Sequence, residues 1–278
     1  MTEHDAPLAG GPRTLRERFA DGLDETVWTP AYLPAWSSRS DAAASFFVDA
    51  QGLHLTIPDE HPLWCPGLHE GALRVSAVQS GNWSGPVGST RGQQPFRSGL
   101  VVREEQPARW GYTPEHGHIE VVCRAVVGPG SMWSAWLVGL EDVPERSGEI
   151  CLVEVFGSTV ETGADGVVRA AVGSGIHPFR DPGLREEFDA PRMPLDVRDW
   201  HRYAVDWRPG SVTFSVDGET TRTLDQAPAY PLQLILGVFD FPDQPRPAGL
   251  VPELVVRSVT GTAFHPDERG AAQKPSGR

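Results

Sequence analysis

The sequence predicts an all-β protein in which two antiparallel sheets pack together as a β-sandwich of jelly-roll type. About a dozen short apolar runs alternate as strands do, and helical periodicity is nearly absent. The 30 glycines and 26 prolines lie between these runs, where the chain must turn. Hydrophobic residues make up 39% of the 278 residues, enough for one large core. We expect a single domain over 15–262, with flexible tails at 1–14 and 263–278.

The expected elements follow one another without a linker or an internal repeat. Residues 15–23 could form a helical turn or an extended edge segment. Strands are expected, in order, at 52–57, 72–78, 99–104, 118–127, 132–140, 149–156, 167–172, 201–207, 211–218, 232–239 and 253–259. The turn sequence Arg208-Pro209-Gly210 predicts a hairpin, because it separates two alternating runs. Four long loops should wall a groove across one face of the sandwich. They are 58–71, 79–98, 105–117 and 174–199.

The charge and the cysteines exclude several classes of function. A formal net charge of -13 repels phosphate backbones and anionic lipid, so a neutral substrate is expected and nucleic-acid or membrane partners are not. The three cysteines are odd in number and lack CxxC spacing, which argues against a disulfide framework and a zinc site. His116 and His118 have metal-like spacing without a third ligand nearby, so no metal is predicted. The first residues lack a signal-peptide pattern, which favours a cytoplasmic location; export by another route stays open.

The segment from Glu149 to Glu154 is the main candidate for chemistry. In a flat strand the side chains alternate between faces, so Glu149 and Cys151 would point one way and Glu154 the other. One β-bulge near Leu152 and Val153 would restore the parity. Both glutamates and Cys151 would then line one face, while one of Leu152 and Val153 packs inward.

Two glutamates placed in this way could act as a double-displacement glycosidase. Their Cα atoms would lie roughly 10–13 Å apart along the strand, and leaning side chains could bring the carboxyls to about 5–5.5 Å. One carboxylate would attack the anomeric carbon, while the other protonates the leaving oxygen and then deprotonates water. The alternative is a flat strand in which one glutamate simply faces solvent. The spacing alone does not decide between them.

Five segments resemble, in the right order, motifs of glycoside hydrolase family 16, the retaining β-glucanases of laminarinase and lichenase type. They are GHIEVVCR at 117–124, MWSAWLVG at 132–139, GEICLVEVFG at 148–157, WHRYAVDW at 200–207 with VDG at 216–218, and LVVRSVTG at 254–261. The third is similar to the signature E-x-D-x-x-E, whose six-residue spacing is that of the laminarinase branch. The resemblance spans roughly residues 17 to 261 and implies a concanavalin A-like jelly roll.

The resemblance also implies roles by position, with Glu149 as the nucleophile and Glu154 as the acid/base. Cys151 stands where the signature has an aspartate that hydrogen-bonds near the nucleophile. Because a thiol is a poor donor, loss of the aspartate's hydrogen bond should cost about 1–3 kcal/mol of transition-state stabilisation. Arg257 replaces an aspartate that helps many members to hold a structural calcium, so calcium is doubtful and no other cofactor is implied.

Aromatic and histidine side chains are the candidates for sugar binding. The chain has nine tryptophans, which are suited to stacking on sugar rings but are by default core residues. Trp136 lies one strand before the signature, Trp83 and Trp110 lie in long loops, and Trp64 lies behind them. His177 could reach the cleft from the loop after the next strand or occupy a surface turn. The neighbouring Arg180 and Asp181 are expected in a solvated loop.

The sequence thus predicts a retaining endo-hydrolase of a β-linked polysaccharide or oligosaccharide, with β-1,3- or β-1,3/1,4-glucan as the first expectation. Esterase, nucleotide-binding and zinc-protease readings lack their motifs. The alternative from another class is a lectin-like carbohydrate-binding module, weakened as an enzyme by Cys151. A third alternative is a glycosyl-transferring variant of the hydrolase.

Overall fold

A computed structural model describes residues 13–264, and in them the chain forms strands with two short 3-10 turns. The predicted tails at 1–14 and 263–278 fall almost entirely outside the described residues. The strands are β1 Leu15–Glu17, β2 Ser45–Asp49, β3 Gly52–Thr56, β4 Arg74–Gln79, β5 Gly81–Asn82, β6 Arg109–Trp110, β7 Gly117–Val126, β8 Ser131–Gly139, β9 Glu149–Phe156, β10 Glu161–Thr162, β11 Val168–Ala171, β12 Gly173–His177, β13 Glu187–Asp189, β14 Arg192–Met193, β15 His201–Arg208, β16 Ser211–Val216, β17 Glu219–Leu224, β18 Leu232–Asp240 and β19 Glu253–Thr262. The turns are Pro34–Trp36 and Gly157–Thr159.

Two antiparallel sheets form the sandwich. The larger has the order β17-β16-β15-β7-β19-β3-β2, with β1 paired to β19. The smaller has the order β13-β12-β9-β8-β18-β4. The prediction of a two-sheet, all-β architecture is therefore confirmed. No helix in the described part of the chain is long and apolar enough to cross a membrane.

Alternation along the strands decides which face each residue occupies. In β7, buried residues alternate with half-buried ones, so one face packs on the core and the other meets solvent. Every residue of β8 and β18 is buried. In β8, Trp133 and Leu137 pack between the two sheets, while Trp136 and Val138 belong to a second apolar cluster on the opposite face. That second face of the smaller sheet is the floor of the groove, and loops cover it.

Most strand predictions are confirmed within two residues, including the hairpin of β15 and β16. Residues 15–17 take the extended alternative and pair with β19. The expected strand at 99–104 is wrong: Val102 exchanges backbone hydrogen bonds with Ser89 and Gly88 inside a loop. The interval 174–199 is not a plain loop, because it contains most of β12 and all of β13 and β14. Strand β12 is glycine-rich and lacks the apolar alternation typical of a strand. It is extended because it pairs with β9.

Candidate active site

Strand β9 contains a β-bulge at the predicted position. On β8, Ala135 pairs with Val153 and Trp136 pairs with Cys151, which leaves Leu152 without a partner. The register with β12 shifts at the same place. Both Leu152 and Val153 belong to the core cluster, which corrects the expectation that only one of them packs inward.

The bulge turns both glutamates to the groove. Directly opposed residues of an antiparallel pair share a face of the sheet. Glu149 opposes Val138 and Cys151 opposes Trp136, and both partners belong to the groove cluster. Glu154 opposes Ser134, which lies two residues before Trp136 and therefore on the same face. Glu149, Cys151 and Glu154 thus emerge together, and the flat-strand alternative is excluded.

A glycine of the neighbouring strand lies beside the bulge. Gly175 opposes Cys151 and has φ of +153°, a conformation that side chains rarely adopt. A Cβ atom there would lie 2.3 Å from the backbone oxygen of Glu187, so no larger residue fits. Glycine is therefore required at position 175 by the close approach of β13 on the side away from the bulge.

Burial sets the protonation of the two carboxyls. Glu149 is 8% exposed, and this burial raises its pKa to about 8, with further contributions from the negative charges of Glu154 and Glu186. Burial also raises the pKa of Glu154, but the nearby His177 acts in the opposite direction. Glu149 therefore retains its proton near neutral pH, and burial also favours a proton on Glu154.

Cys151 lies between the glutamates as a neutral thiol. It is 1% exposed, and burial raises its pKa well above the ordinary value, so it carries no charge. Its hydrogen-bonding neighbour is the hydroxyl of Ser134, at 4.0 Å. A thiol in this state neither attacks a substrate nor donates strongly to a carboxylate.

His177 is positioned beside Glu149. It opposes Glu149 in the β9–β12 register and therefore shares the groove face. Its ring stacks on Phe188 with centroids 4.9 Å apart, and its Nδ1 lies 2.9 Å from a carboxylate oxygen of Glu186. The geometry places this candidate at the site.

A cavity of about 400 Å³ adjoins Glu149 through its lining residue Gln94. It is lined by Tyr32, Leu33, Trp64, His69, Leu73, Gln94, Pro95, Phe96, Glu141, Ser147, Phe179 and Arg180. The side-chain amide of Gln94 lies 3.4 Å from Glu149 Oε2. Burial raises the pKa of Tyr32, and the charge of Glu149 adds to this effect. The cavity and the Glu149 carboxyl are thus parts of one site.

Aromatic rings form one wall of this cavity. The rings of Trp64 and Phe96 lie 4.7 Å apart, and those of Tyr32 and Trp64 lie 4.9 Å apart. The indole nitrogen of Trp64 donates to the backbone oxygen of Tyr32, which fixes the ring. Rigid aromatic surface beside polar groups suits a sugar ring, which presents C–H faces and hydroxyl edges.

The three predicted tryptophan platforms lie elsewhere. Trp136 is 5% exposed and packs under the cavity against Tyr32. Trp83 is 6% exposed, and its indole nitrogen donates to the backbone oxygen of Leu140. Trp110 lies in the two-stranded β5–β6 ribbon and, like the other two, does not line the cavity. Trp64 is 4% exposed, as buried as Trp136 and Trp83, but it is the one of these tryptophans that lines the cavity.

Arg180 and Asp181 lie in a solvent-exposed loop, as expected, and both side chains also have partners in the fold. Arg180 pairs with the buried carboxylate of Glu141 and lines the cavity. Asp181 accepts a 2.6 Å hydrogen bond from the hydroxyl of Tyr230. Sequence reasoning also missed Gln94, because no motif joins it to Glu149, 55 positions later.

Arg257, which replaces the aspartate of a calcium site in many family members, stacks on Trp200. The guanidinium of Arg257 lies 3.8 Å from the centre of the Trp200 ring, and that of Arg124 lies 5.3 Å from it. Two cations against one indole do not fit a calcium site, which needs several oxygen ligands. Residues 13–264 contain no cluster of three or more His, Cys, Asp or Glu side chains suited to a metal.

The comparison with known families gives one match. The family model described as "Glycosyl hydrolases family 16" matches residues 112–248, which include β7, β8, β9 and the β15–β16 hairpin. A curated protein, Crh-like protein 2 from Aspergillus fumigatus, is 53% identical over 32 residues. That alignment covers 12% of this chain and 7% of the relative.

Solved structures confirm the jelly-roll fold. A GlcNAcα1-4Gal-releasing endo-β-galactosidase from Clostridium perfringens aligns with a TM-score of 0.75 and 22% identity over 92% of this chain. The chain spans only 64% of that protein. A laminarinase from Flavobacterium sp. UMI-01 aligns with a TM-score of 0.59 and 15% identity, covering 89% of this chain and 98% of the other. The Crh5 transglycosylase aligns with a TM-score of 0.51 and 19% identity, covering 92% of this chain and 86% of the other.

Proposed function

The chain belongs to glycoside hydrolase family 16, and from that premise we propose that it is a retaining endo-hydrolase of a β-linked polysaccharide. The observation that carries the proposal is the β9 bulge, which brings Glu149 and Glu154 to one face beside an aromatic cavity. A protein that only binds sugar has no need of one buried and one half-buried acid in this arrangement.

The reaction proceeds in two steps. Glu149, as the carboxylate, attacks the anomeric carbon, and Glu154 transfers its proton to the glycosidic oxygen as the bond to it breaks. A covalent glycosyl-enzyme forms and the leaving sugar departs. Glu154, now a carboxylate, removes a proton from water, whose oxygen attacks the same carbon and releases Glu149. Two inversions give net retention at that carbon.

The environment of the pair is suited to only part of this task. Burial raises the pKa of Glu154 and so favours the proton that the first step requires there. It also opposes ionisation of Glu149, whose partner in the signature position is the neutral thiol of Cys151. We therefore expect slow turnover and a dependence on pH that reflects ionisation of Glu149.

The substrate class is a neutral β-linked glycan. β-1,3-Glucan and mixed β-1,3/1,4-glucan are the first candidates, because the six-residue signature is that of the laminarinase branch. The similarity to an endo-β-galactosidase supports β-galactoside-containing glycans as a further candidate. The aromatic wall with Trp64 and the polar edge with Gln94 fit either sugar.

Two rival functions are supported by specific observations. Cys151 favours a carbohydrate-binding module without efficient turnover. The structural likeness to the Crh5 transglycosylase favours transfer of the glycosyl group to an acceptor sugar in place of water. Both rivals use the same groove, so they differ from hydrolysis in the fate of the bound glycan.

The test is a hydrolysis assay with laminarin, lichenan, agarose, xyloglucan and a β-galactoside-containing mucin glycan. Wild type should release oligosaccharides, and the anomeric proton signals of new reducing ends should first report the β anomer. Glu149→Gln and Glu154→Gln should each lose turnover, while the exposed control Glu25→Gln keeps it. Elongated products with an added acceptor would indicate transfer. Binding without any turnover, even in Cys151→Asp, would overturn the enzyme assignment.

A further inference from the structure

Gln94 makes a contact with Glu149 that neither the signature nor the family match assigns. Its Nε2 lies 3.4 Å from Glu149 Oε2. Within residues 13–264 no second hydrogen bond to that carboxylate is found. The other polar atom of the side chain, Oε1, is buried without a partner. The orientation of the carboxamide in the described structure is thus set by Glu149.

The loop around Gln94 is built to hold this residue in place. Its φ of +42° is uncommon for a residue other than glycine and persists only where its surroundings impose it. The backbone N–H of Gln94 donates to the buried carboxylate of Glu141, which in turn pairs with Arg180. The preceding residue, Gln93, accepts hydrogen bonds from the indole of Trp36 and the backbone N–H of Trp83.

The other groups around Glu149 do not provide a hydrogen-bond donor to its carboxylate. On its own strand stand Cys151 and Glu154, and the charges that act on it are those of Glu154 and Glu186. His177 from β12 is engaged with Glu186, and Tyr32 faces Glu149 from the N-terminal segment. None of these groups donates a hydrogen bond to Glu149.

We infer that Gln94 is a positioning residue: its amide holds Glu149 in the direction of attack and favours the charged carboxylate, a task for which Cys151 is unfit. The inference rests on the proposed function for its catalytic consequence, but the contact itself is testable without a substrate. An amide N–H stabilises a carboxylate without adding another charged group to the site. A neighbouring carboxyl in the Cys151 position would provide the same hydrogen bond only while protonated.

The first experiment titrates Glu149 in the full chain by NMR with ¹³C-labelled glutamate carboxyls. Glu149→Gln identifies the signal. Gln94→Met keeps the length of the side chain and removes the donor, so we expect the proton affinity of Glu149 to rise about tenfold. Gln233→Met makes the same replacement at a fully buried position with no hydrogen bond to Glu149, and should leave the titration unmoved.

The second experiment measures the kinetic consequence. Gln94→Met should lower kcat about tenfold with little change in KM, and should move the ascending limb of the pH profile to higher pH. In the Cys151→Asp background the same change should cost clearly less, because two donors would then serve one carboxylate. A merely structural role would give equal losses in both backgrounds.

The positioning role of Gln94 and the proposed hydrolase function can be refuted separately. An unmoved Glu149 titration in a folded Gln94→Met protein overturns the positioning role, whatever the activity. A shifted titration in a protein that hydrolyses none of the glycans overturns the proposed function and leaves the contact standing. If Gln94→Met fails to fold, Gln94→Leu provides the same titration test in a shorter side chain.

Discussion

Replacing Glu149 with glutamine should stabilise the protein, and by an amount that depends on pH. Glu149 is 8% exposed, and its pKa lies at about 8 in the folded protein against an ordinary value of 4.5. Because the folded state binds the proton more tightly than the unfolded chain, ionisation opposes folding. The contribution of this residue to stability is therefore full below pH 4.5 and is lost progressively as pH rises toward 8.

The magnitude follows from the two pKa values. Full ionisation of Glu149 costs the folded state about 5 kcal/mol more than the unfolded chain, at about 1.4 kcal/mol for each tenfold change in proton affinity. Between pH 5 and pH 8 the loss amounts to about 3–4 kcal/mol, a large part of the stability of an ordinary domain. Glutamine keeps the shape of the side chain and cannot ionise, so this part of the pH dependence should vanish.

The assay is urea unfolding of wild type and Glu149→Gln at pH 5, 6.5 and 8. The two proteins should differ little at pH 5 and by roughly 3 kcal/mol or more at pH 8, with the variant the more stable. Glu25→Gln removes a charge at an exposed site and serves as the control. Parallel loss of stability in wild type and Glu149→Gln would refute the reasoning, since it would assign the pH dependence to other groups.

Three further outcomes are expected. Cys151→Asp should raise kcat/KM by about ten- to a hundredfold, the worth of one hydrogen bond to a charged group, as measured on the best glycan; unchanged kinetics in a folded protein would contradict it. Trp64→Ala removes part of the cavity wall and should raise KM for oligosaccharides about tenfold, whereas Trp110→Ala, outside the cavity, should not. Arg257→Met should lower stability by about 1 kcal/mol through loss of its stack on Trp200, and EDTA should not shift the Tm of wild type. A drop in Tm with EDTA would restore the calcium reading.

A raised pKa at Glu149 also has a functional side. Only the carboxylate attacks, so the burial that shields the site from water makes the reactive form scarce at neutral pH. Gln94 and, in the signature, the aspartate at the Cys151 position both act on this balance. We therefore expect low turnover for two reasons: Glu149 is buried, and the residue at position 151 is a neutral thiol.

The bulged strand shows what the sequence by itself determined. The spacing of Glu149 and Glu154 is five, so parity showed that only an inserted residue could bring both to one face; the structure decided that the strand has this bulge, at Leu152. The order of the strands and the β15–β16 hairpin likewise follow from alternation and turn residues, which are local properties. The stacking of Arg257 on Trp200 has no such local signal, and only the fold revealed it.

The cavity and its contacts were decided by the tertiary structure. Tyr32, Trp64, Gln94 and Arg180 come from loops far apart in the chain, and no local pattern encodes which loops meet over the groove. Strand β12 became a strand because it pairs with β9, against the weak strand propensity of its glycines. Periodicity records which face of an element is buried, whereas long-range packing decides what lies opposite that face.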